Sequence, residues 1–294
     1  MKASQLGKPR LEDIVRKIKG ISTLPHIALK IIEITSDTNS SASDLEDVIK
    51  SDPGLTAKLL KMVNSAHFGL SEKVMEIRKA IVFLGFKSVR DIALSASVCE
   101  LFKKDIPIGH YTRSGLWRHS VGVAVTANVI AQRTEFDVGD FVFSTAIMHD
   151  IGIVMLDQYM HEHFAACMHS PECLSLGLHN IEAEIMGFTH QDLAREVVKS
   201  LGLPEEFVQT CSYHHRPQIA SESCQVINSI IYMANTLCDA RNFGFTESSE
   251  INSKEFNFVL HKLNFNKTDV AIILEELPAE FDKANDLINL VDHS

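Results

Sequence analysis

The chain has 294 residues, a formal net charge of −10, 45% hydrophobic residues and 22% charged ones. That length suits one large domain or two closely packed ones, and the apolar fraction is enough for a real core. The acidic balance argues against non-specific binding to DNA or anionic membranes, and no apolar run approaches the roughly 18–20 residues of a membrane span.

The N-terminal stretch MKASQLGKPRLEDIVRKIKG is charged and lacks the apolar core of a signal peptide, so a cytoplasmic location is expected. Six cysteines without any CxxC pair read as buried free thiols in a reducing compartment. Ile27, Ile31 and Ile34 keep helical spacing. Ser43 and Glu46 fit a capping box ahead of Leu45, Val48 and Ile49. Asp52-Pro53 is a second start signal, followed by Leu55, Leu59, Met62 and Val63. That helix should end at Asn64 and Gly69. Ile77, Ala80, Ile81 and Leu84 make another helix with Gly85 as its stop, and Val89 to Leu101 continue the pattern.

Around Lys103 to His110 the pattern breaks, at Pro107 and Gly109. The expected organisation is an N-terminal helical part, residues 1–105, and a helical core with C-terminal helices, residues 106–294. Helical patterns then cover about 113–133, 138–149, 179–187, 190–200, 204–213 and 222–241. Phe243 to Asn257 is polar and reads as a loop. Two amphipathic helices follow, and Pro278 should kink or split the last. Alternating strands are absent, so the expected class is an all-α helical bundle.

Histidine is the anomaly: there are 14, and ten lie between His110 and His215. A metal-assisted phosphate hydrolase needs several neutral imidazoles and a carboxylate able to bridge two cations. These must come from different helices, because one helix face cannot surround an ion. His119 lies within one helix. His149-Asp150 ends another, with Gly152 expected to break it. His190 starts a third, and His214-His215 ends a fourth before Arg216-Pro217. Each piece is weak alone, since a single histidine on an apolar helix is commonly a core residue. The order H…HD…H…HH is far more specific. His161, His163, His169 and His179 sit in polar surroundings and are expected to be solvated.

These residues are those of the HD superfamily of metal-dependent phosphohydrolases. More narrowly, the chain resembles bacterial HDOD proteins, through LPHIALKIIEI, LEDVIKSDPGLTAKLLKMVNSAHFGL and IRKAIVFLGFKSVRDIALS, from about Ile21 to about Arg241. The resemblance implies an HD-like core preceded by an N-terminal helical subdomain. It also implies a role in bacterial signalling, often through protein–protein contact. It further implies one or two divalent ions (Fe, Mn, Ni, Zn or Mg, or none at all) held by His119, His149, Asp150, His190, His214 and His215. Two departures stand out. The late helix carries Ala234-Asn235 where the family places an aspartate, with Asp239 one turn further on. After the HD pair comes Ile153, where the cyclic-dinucleotide phosphodiesterases of the superfamily have a phosphate-binding lysine. Arg118 and Arg216 are candidates to compensate, or ordinary surface residues.

Three functions remain open on the sequence. The first is a signalling module with a degenerate metal site and a protein partner. The second is a metal-dependent phosphohydrolase of a nucleotide or cyclic dinucleotide, with Asp150 as the catalytic bridge and Asn235 or water completing one sphere. The third is a sensor of metal or of a small phosphorylated ligand. No direct nucleic-acid or membrane contact is expected, and a homodimer is compatible with the terminal apolar helices.

Overall fold

The chain alternates capping signals with apolar helical stripes, and the computed structural model follows them over residues 7–19, 24–37, 39–64, 70, 72–103, 106–248 and 250–291. The N-terminal part comprises α1 (Leu11–Lys19), α2 (His26–Ser36), α3 (Ala42–Lys50), α4 (Pro53–Val63) and α5 (Ile77–Val98). After it come α6 (Arg113–Ala131), α7 (Val142–Met148), α8 (Ile151–Tyr159), α9 (His161–Met168), α10 (Cys173–Leu176) and α11 (Leu178–Ile185). The chain closes with α12 (His190–Ser200), α13 (Glu205–Tyr213), α14 (Gln225–Ala240), α15 (Ser253–Leu263), α16 (Lys267–Lys283) and α17 (Asn285–Ile288). Among the described residues there is no strand, only one isolated bridge between Ile108 and Tyr111. The all-α expectation holds.

Most start and stop signals act as read. Asp52 accepts the Leu55 N–H and Pro53 opens α4. Asn64 ends α4, and its side chain also bonds the Val74 backbone in both directions at 2.7 Å. Gly69, the other expected stop, lies outside the described residues. Gly85 breaks the backbone path of α5 with φ 84° and ψ 162°, a conformation that a side chain would strain. The capping box is displaced from its expected place: Ser41 and Asp44 form it, not Ser43 and Glu46. Glu46 is instead buried and paired with Lys50 and Arg78.

Two further differences have physical causes. Helix α8 was not anticipated, because Ile151 to Asp157 are all buried and a helix buried all round carries no amphipathic period. Gly152 therefore does not break a helix; it lies inside one. Pro278 neither splits nor ends α16. The carbonyl it leaves without an intrahelical donor, that of Leu274, accepts the Arg241 guanidinium at 2.7 Å.

Helix α6 is the axis of the C-terminal half, packing on α7, α14 and α16. Its Trp117 is fully buried, lies 5.3 Å from the Phe102 ring and donates to the Leu287 carbonyl at 3.1 Å. Helix α5 packs on α7, where Ser144 donates to Asp91 at 2.6 Å and the Arg90 guanidinium reaches the Asp140 carbonyl. Helix α1 packs on α12, and one continuous apolar core runs from Val15 to Ile288. All six cysteines are free and buried. No described helix is long and apolar enough to cross a membrane.

The displaced cap gives a direct check. Ser41→Ala should cost about 1 kcal/mol in urea unfolding, whereas Ser43→Ala should stay within about 0.5 kcal/mol of wild type. Equal effects would refute the assignment.

Candidate metal centre

Four helix ends and one helix middle deliver the histidines to a common point. His119 projects from the middle of α6 and is fully buried. His149 caps the end of α7 and Asp150 precedes α8, so the pair occupies the turn between two buried helices. His190 is the first residue of α12, which Thr189 and Asp192 cap reciprocally. His214 is the C-cap of α13. His119, His149, Asp150, His190 and His214 are all 0% exposed, and the His215 side chain is 12% exposed.

Asp150 lies at the middle. Its Oδ2 is 3.0 Å from His149 Nε2 and 3.8 Å from His119 Nε2. Its Oδ1 is 3.2 Å from His214 Nε2 and 3.8 Å from His190 Nε2. Each oxygen thus faces a different pair of imidazoles. Around it lie two groups able to hold a metal ion, His119–His149–Asp150 and His190–His214–His215–Glu247.

The rings are oriented from behind. His149 Nδ1 donates to the Ala146 carbonyl at 2.7 Å and His214 Nδ1 to the Thr210 carbonyl at 3.0 Å. His190 Nδ1 donates to Glu182 Oε2 at 2.8 Å, and the same oxygen accepts the His190 backbone N–H at 2.8 Å. A carbonyl can only accept, so in a neutral ring the proton sits on Nδ1 and the Nε2 lone pair faces the centre.

The electrostatics follow from burial and crowding. Burial pushes His119 and His214 down to about 4, and burial together with neighbouring rings holds His215 well below the ordinary range. Burial would also lower His190, but the Glu182 carboxylate outweighs it and raises that ring. Asp150 is opposed by burial yet held well below the usual carboxylate range by His149 and His214. Burial and the Asp150 charge push Asp239 and Glu247 well above that range.

Both Asp150 oxygens, both Glu247 oxygens, His149 Nε2 and His215 Nε2 are buried without hydrogen-bond partners. Ionised carboxylates left so cost several kcal/mol. A divalent cation would relieve that cost, and an imidazole–carboxylate donor set without thiolate fits a first-row transition ion. The residues therefore fit the implied metal.

All seven expected site residues converge, Asn235 included. His119 Nε2 donates to Asn235 Oδ1 at 2.7 Å, on the side of the ring that faces Asp150. Asp239 stands behind the ring instead, 3.9 Å from His119 Nδ1. Ile153 is fully buried. Arg118 is exposed and stacks over the Phe243 ring at 4.7 Å, away from any compensating role. His161 and His169 are exposed, as expected, and His163 is part-buried, reaching the Gly7 carbonyl. His179 is a correction: it stacks on His215 at 4.5 Å, and burial pushes it down to about 4. The two residues that sequence reasoning missed are Glu182 and Glu247, the second within the polar stretch read as a loop. The phenylalanines at the head of that stretch, Phe243 and Phe245, are the available signal that it is anchored.

A cavity of about 510 Å³ adjoins the centre, reaching His179, His215, Asn235, Asp239 and Glu247. Further out it is lined by Arg216, Glu250 and Glu255.

Two outcomes follow from this geometry. Gly152 faces the His190 carbonyl so closely that a methyl would overlap it. Gly152→Ala should cost about 1–3 kcal/mol in urea unfolding and weaken metal uptake by separating Asp150 from His190; wild-type stability would contradict this. The second concerns pH. His119, His179, His214 and His215 titrate lower folded than unfolded, so below about 6.5 the unfolded chain binds more protons and stability is lost as pH falls towards about 4. Asp239 and Glu247 oppose this, since their raised values favour the folded state at low pH. Four imidazoles outweigh two carboxylates, so the Tm of metal-free protein should fall between pH 6.5 and about 4.5. A flat or rising Tm would refute the balance.

Known proteins place the chain. The HDOD domain family matches residues 21–217. A protein of Treponema pallidum (strain Nichols), itself uncharacterised, is 22% identical over 227 residues, covering 76% of this chain and 43% of that protein. The chain thus spans less than half the length of that relative. Among solved structures, an HDOD domain protein with unknown function from Geobacter sulfurreducens is 24% identical with a TM-score of 0.78, over 95% of this chain and 97% of that one. A protein provisionally described as a signal transduction protein, from Marinobacter aquaeolei VT8, gives 21% and 0.79, over 98% of this chain and 62% of that one. One provisionally described as a phosphohydrolase, from Shewanella amazonensis SB2B, gives 16% and 0.72, over 95% and 97%. These likenesses concern the fold alone; the match over residues 21–217 decides the family, and the chain belongs to the HDOD domain family.

Proposed function

We propose that this HDOD protein is a regulatory module that holds a divalent metal in its His–Asp core and acts through a protein partner rather than by turnover. The observation carrying this reading is the charge of the cavity wall. Asp239, Glu247, Glu250 and Glu255 line it against a single guanidinium, Arg216. Such a wall, rich in carboxyl oxygens and poor in cations, offers donors to a metal ion and little to a phosphoester. Ile153, buried where the related phosphodiesterases carry a lysine, offers a phosphate nothing. Asn235 supplies a neutral oxygen in place of a charged one and is already engaged by His119.

Apolar surface in the N-terminal part supports a protein partner. Val82 and Phe83, just before the kink at Gly85 in α5, are 76% and 56% exposed, and Met75, just before α5, is 65% exposed, more large apolar surface than a solvated helix needs. A second copy of the chain could use the same surface.

The alternative is a phosphohydrolase acting on a nucleotide or cyclic dinucleotide, and one observation favours it: Asp150 directs one oxygen at each imidazole set. Metal ions bound there would lower the pKa of a shared water and neutralise phosphate oxygens. In that reading Asp150 and the imidazoles would hold the metal, the Nδ1 anchors would keep the rings in place, and Asn235 would offer a neutral oxygen.

Protein purified without a metal-binding tag should contain at least one equivalent of transition metal, absent from His149→Ala, by elemental analysis. With Mn, Fe, Ni or Mg added, it should hydrolyse no phosphodiester, nucleotide or cyclic dinucleotide above background. Turnover near 1 s⁻¹ or faster, on the order of ordinary enzymes, and lost in His149→Ala, would reverse the proposal in favour of the hydrolase.

A further inference from the structure

The chain between α14 and α15 lies beyond the stretch that matches the HDOD family, yet it sends one carboxylate into the histidine cluster. Glu247 is 1% exposed. Its Oε2 is 3.1 Å from His215 Nε2 and its Oε1 is 4.0 Å from His190 Nε2. Neither oxygen has a hydrogen-bond partner.

The backbone on either side is held independently of that carboxylate. Phe245 N–H donates to the Gly115 carbonyl at 2.9 Å, and Leu178 N–H donates to the Glu247 carbonyl at 3.2 Å. His110 Nε2 donates to the Thr246 carbonyl at 3.2 Å, and the Phe245 ring packs against the rings of His110 and Tyr111. A loop fixed at these points has a preset side-chain direction. It aims a buried carboxylate without hydrogen-bond partners at His215 and at the inward Nε2 lone pairs of His190 and His214.

We propose that Glu247 is a metal-ligating residue, and that His190, His214, His215 and Glu247 hold one divalent transition cation as a site of three imidazoles and one carboxylate. This rests on the reading that the His–Asp core holds metal, and it assigns the most complete set of donors to the His215 side. The other group, with Asn235 in hydrogen bond to His119, has only the shared Asp150 as its charged donor. Cation binding at Glu247 would also tie the segment 241–252 to α12 and α13, across the wall of the cavity.

The simpler rival is that Glu247 is a structural partner of His215 and nothing more. The two differ in sign. If Glu247 serves a cation, removing its charge relieves the metal-free protein and harms only the loaded one. If it is a structural ion pair, removal harms both alike.

The test uses the full chain stripped with a chelator and titrated with Co²⁺, read by its visible absorption bands and by thermal unfolding. Glu247→Gln should lower Co²⁺ affinity at least about tenfold and alter the bands. It should shrink the Co²⁺-induced rise in Tm while melting at or above wild type without metal. Glu135→Gln, an exposed carboxylate outside the cavity, should bind Co²⁺ as wild type does. Wild-type affinity and bands in Glu247→Gln would overturn this assignment while leaving the metal-holding core intact. An equal fall in Tm with and without Co²⁺, or failure to fold without metal, would overturn it in favour of the structural pair. A folded wild-type chain that takes up no Co²⁺ would overturn both readings.

Discussion

One constraint organises this molecule: a carboxylate, Asp150, buried completely at a point where the ends of four helices and the middle of a fifth meet. Its oxygens have no hydrogen-bond donor of their own. Four imidazole nitrogens stand within 3.0–3.8 Å of it, two at each oxygen. A buried ionised group is tolerable only where charge or donors surround it. The helices α7, α8, α12 and α13 begin or end there because a helix terminus is the place where a chain can bring a polar side chain into an apolar interior and then turn away. The approach of α8 to α12 depends in turn on Gly152, whose missing side chain leaves room for the His190 carbonyl.

What makes the site more than a cluster of buried histidines is the ring of acceptors behind it. Ala146 and Thr210 offer backbone carbonyls, and Glu182 offers a carboxylate, each taking an Nδ1 proton. A satisfied core histidine needs no such arrangement, because it can use both nitrogens for hydrogen bonds. Here one nitrogen of each ring is occupied behind and the other is left pointing inward. Burial holds the basicity of His214 below the ordinary range, which keeps its inward nitrogen a lone-pair donor near neutral pH. The preorganisation suits a cation and does not by itself require turnover.

The wall of the adjoining cavity bears on which use is made of that preparation. In a phosphate-processing site, cationic side chains commonly meet the phosphoryl oxygens before and during reaction. This wall carries carboxylates and one exposed guanidinium. The position after the HD pair is filled by Ile153, packed in the core. The proposed reading rests on this contrast between the imidazoles of the centre and a wall richer in carboxylates than in cations.

Much of this is legible in the sequence. The period of apolar residues, the Asp52-Pro53 start and the order of His119, His149-Asp150, His190 and His214-His215 specify an all-helical chain with one imidazole–carboxylate centre. They do so because helix spacing and helix termini are local properties, written in neighbouring residues. Other features were decided only by packing. Helix α8 is buried on all sides and so left no amphipathic trace. Pro278 stays within its helix because Arg241, distant in sequence, bonds the carbonyl it orphans. His179, read as solvated, stacks on His215. Glu182 and Glu247 look like ordinary charges on a helix and in a polar loop. Glu182 reaches His190 across the turn between α11 and α12, and Glu247 reaches His215 from a segment 32 residues further along the chain. Sequence by itself thus determined which residues could form the His149-Asp150 centre. Tertiary structure decided which carboxylates face it and what kind of charge its cavity presents, because a side chain's partner and exposure depend on neighbours that no local pattern contains.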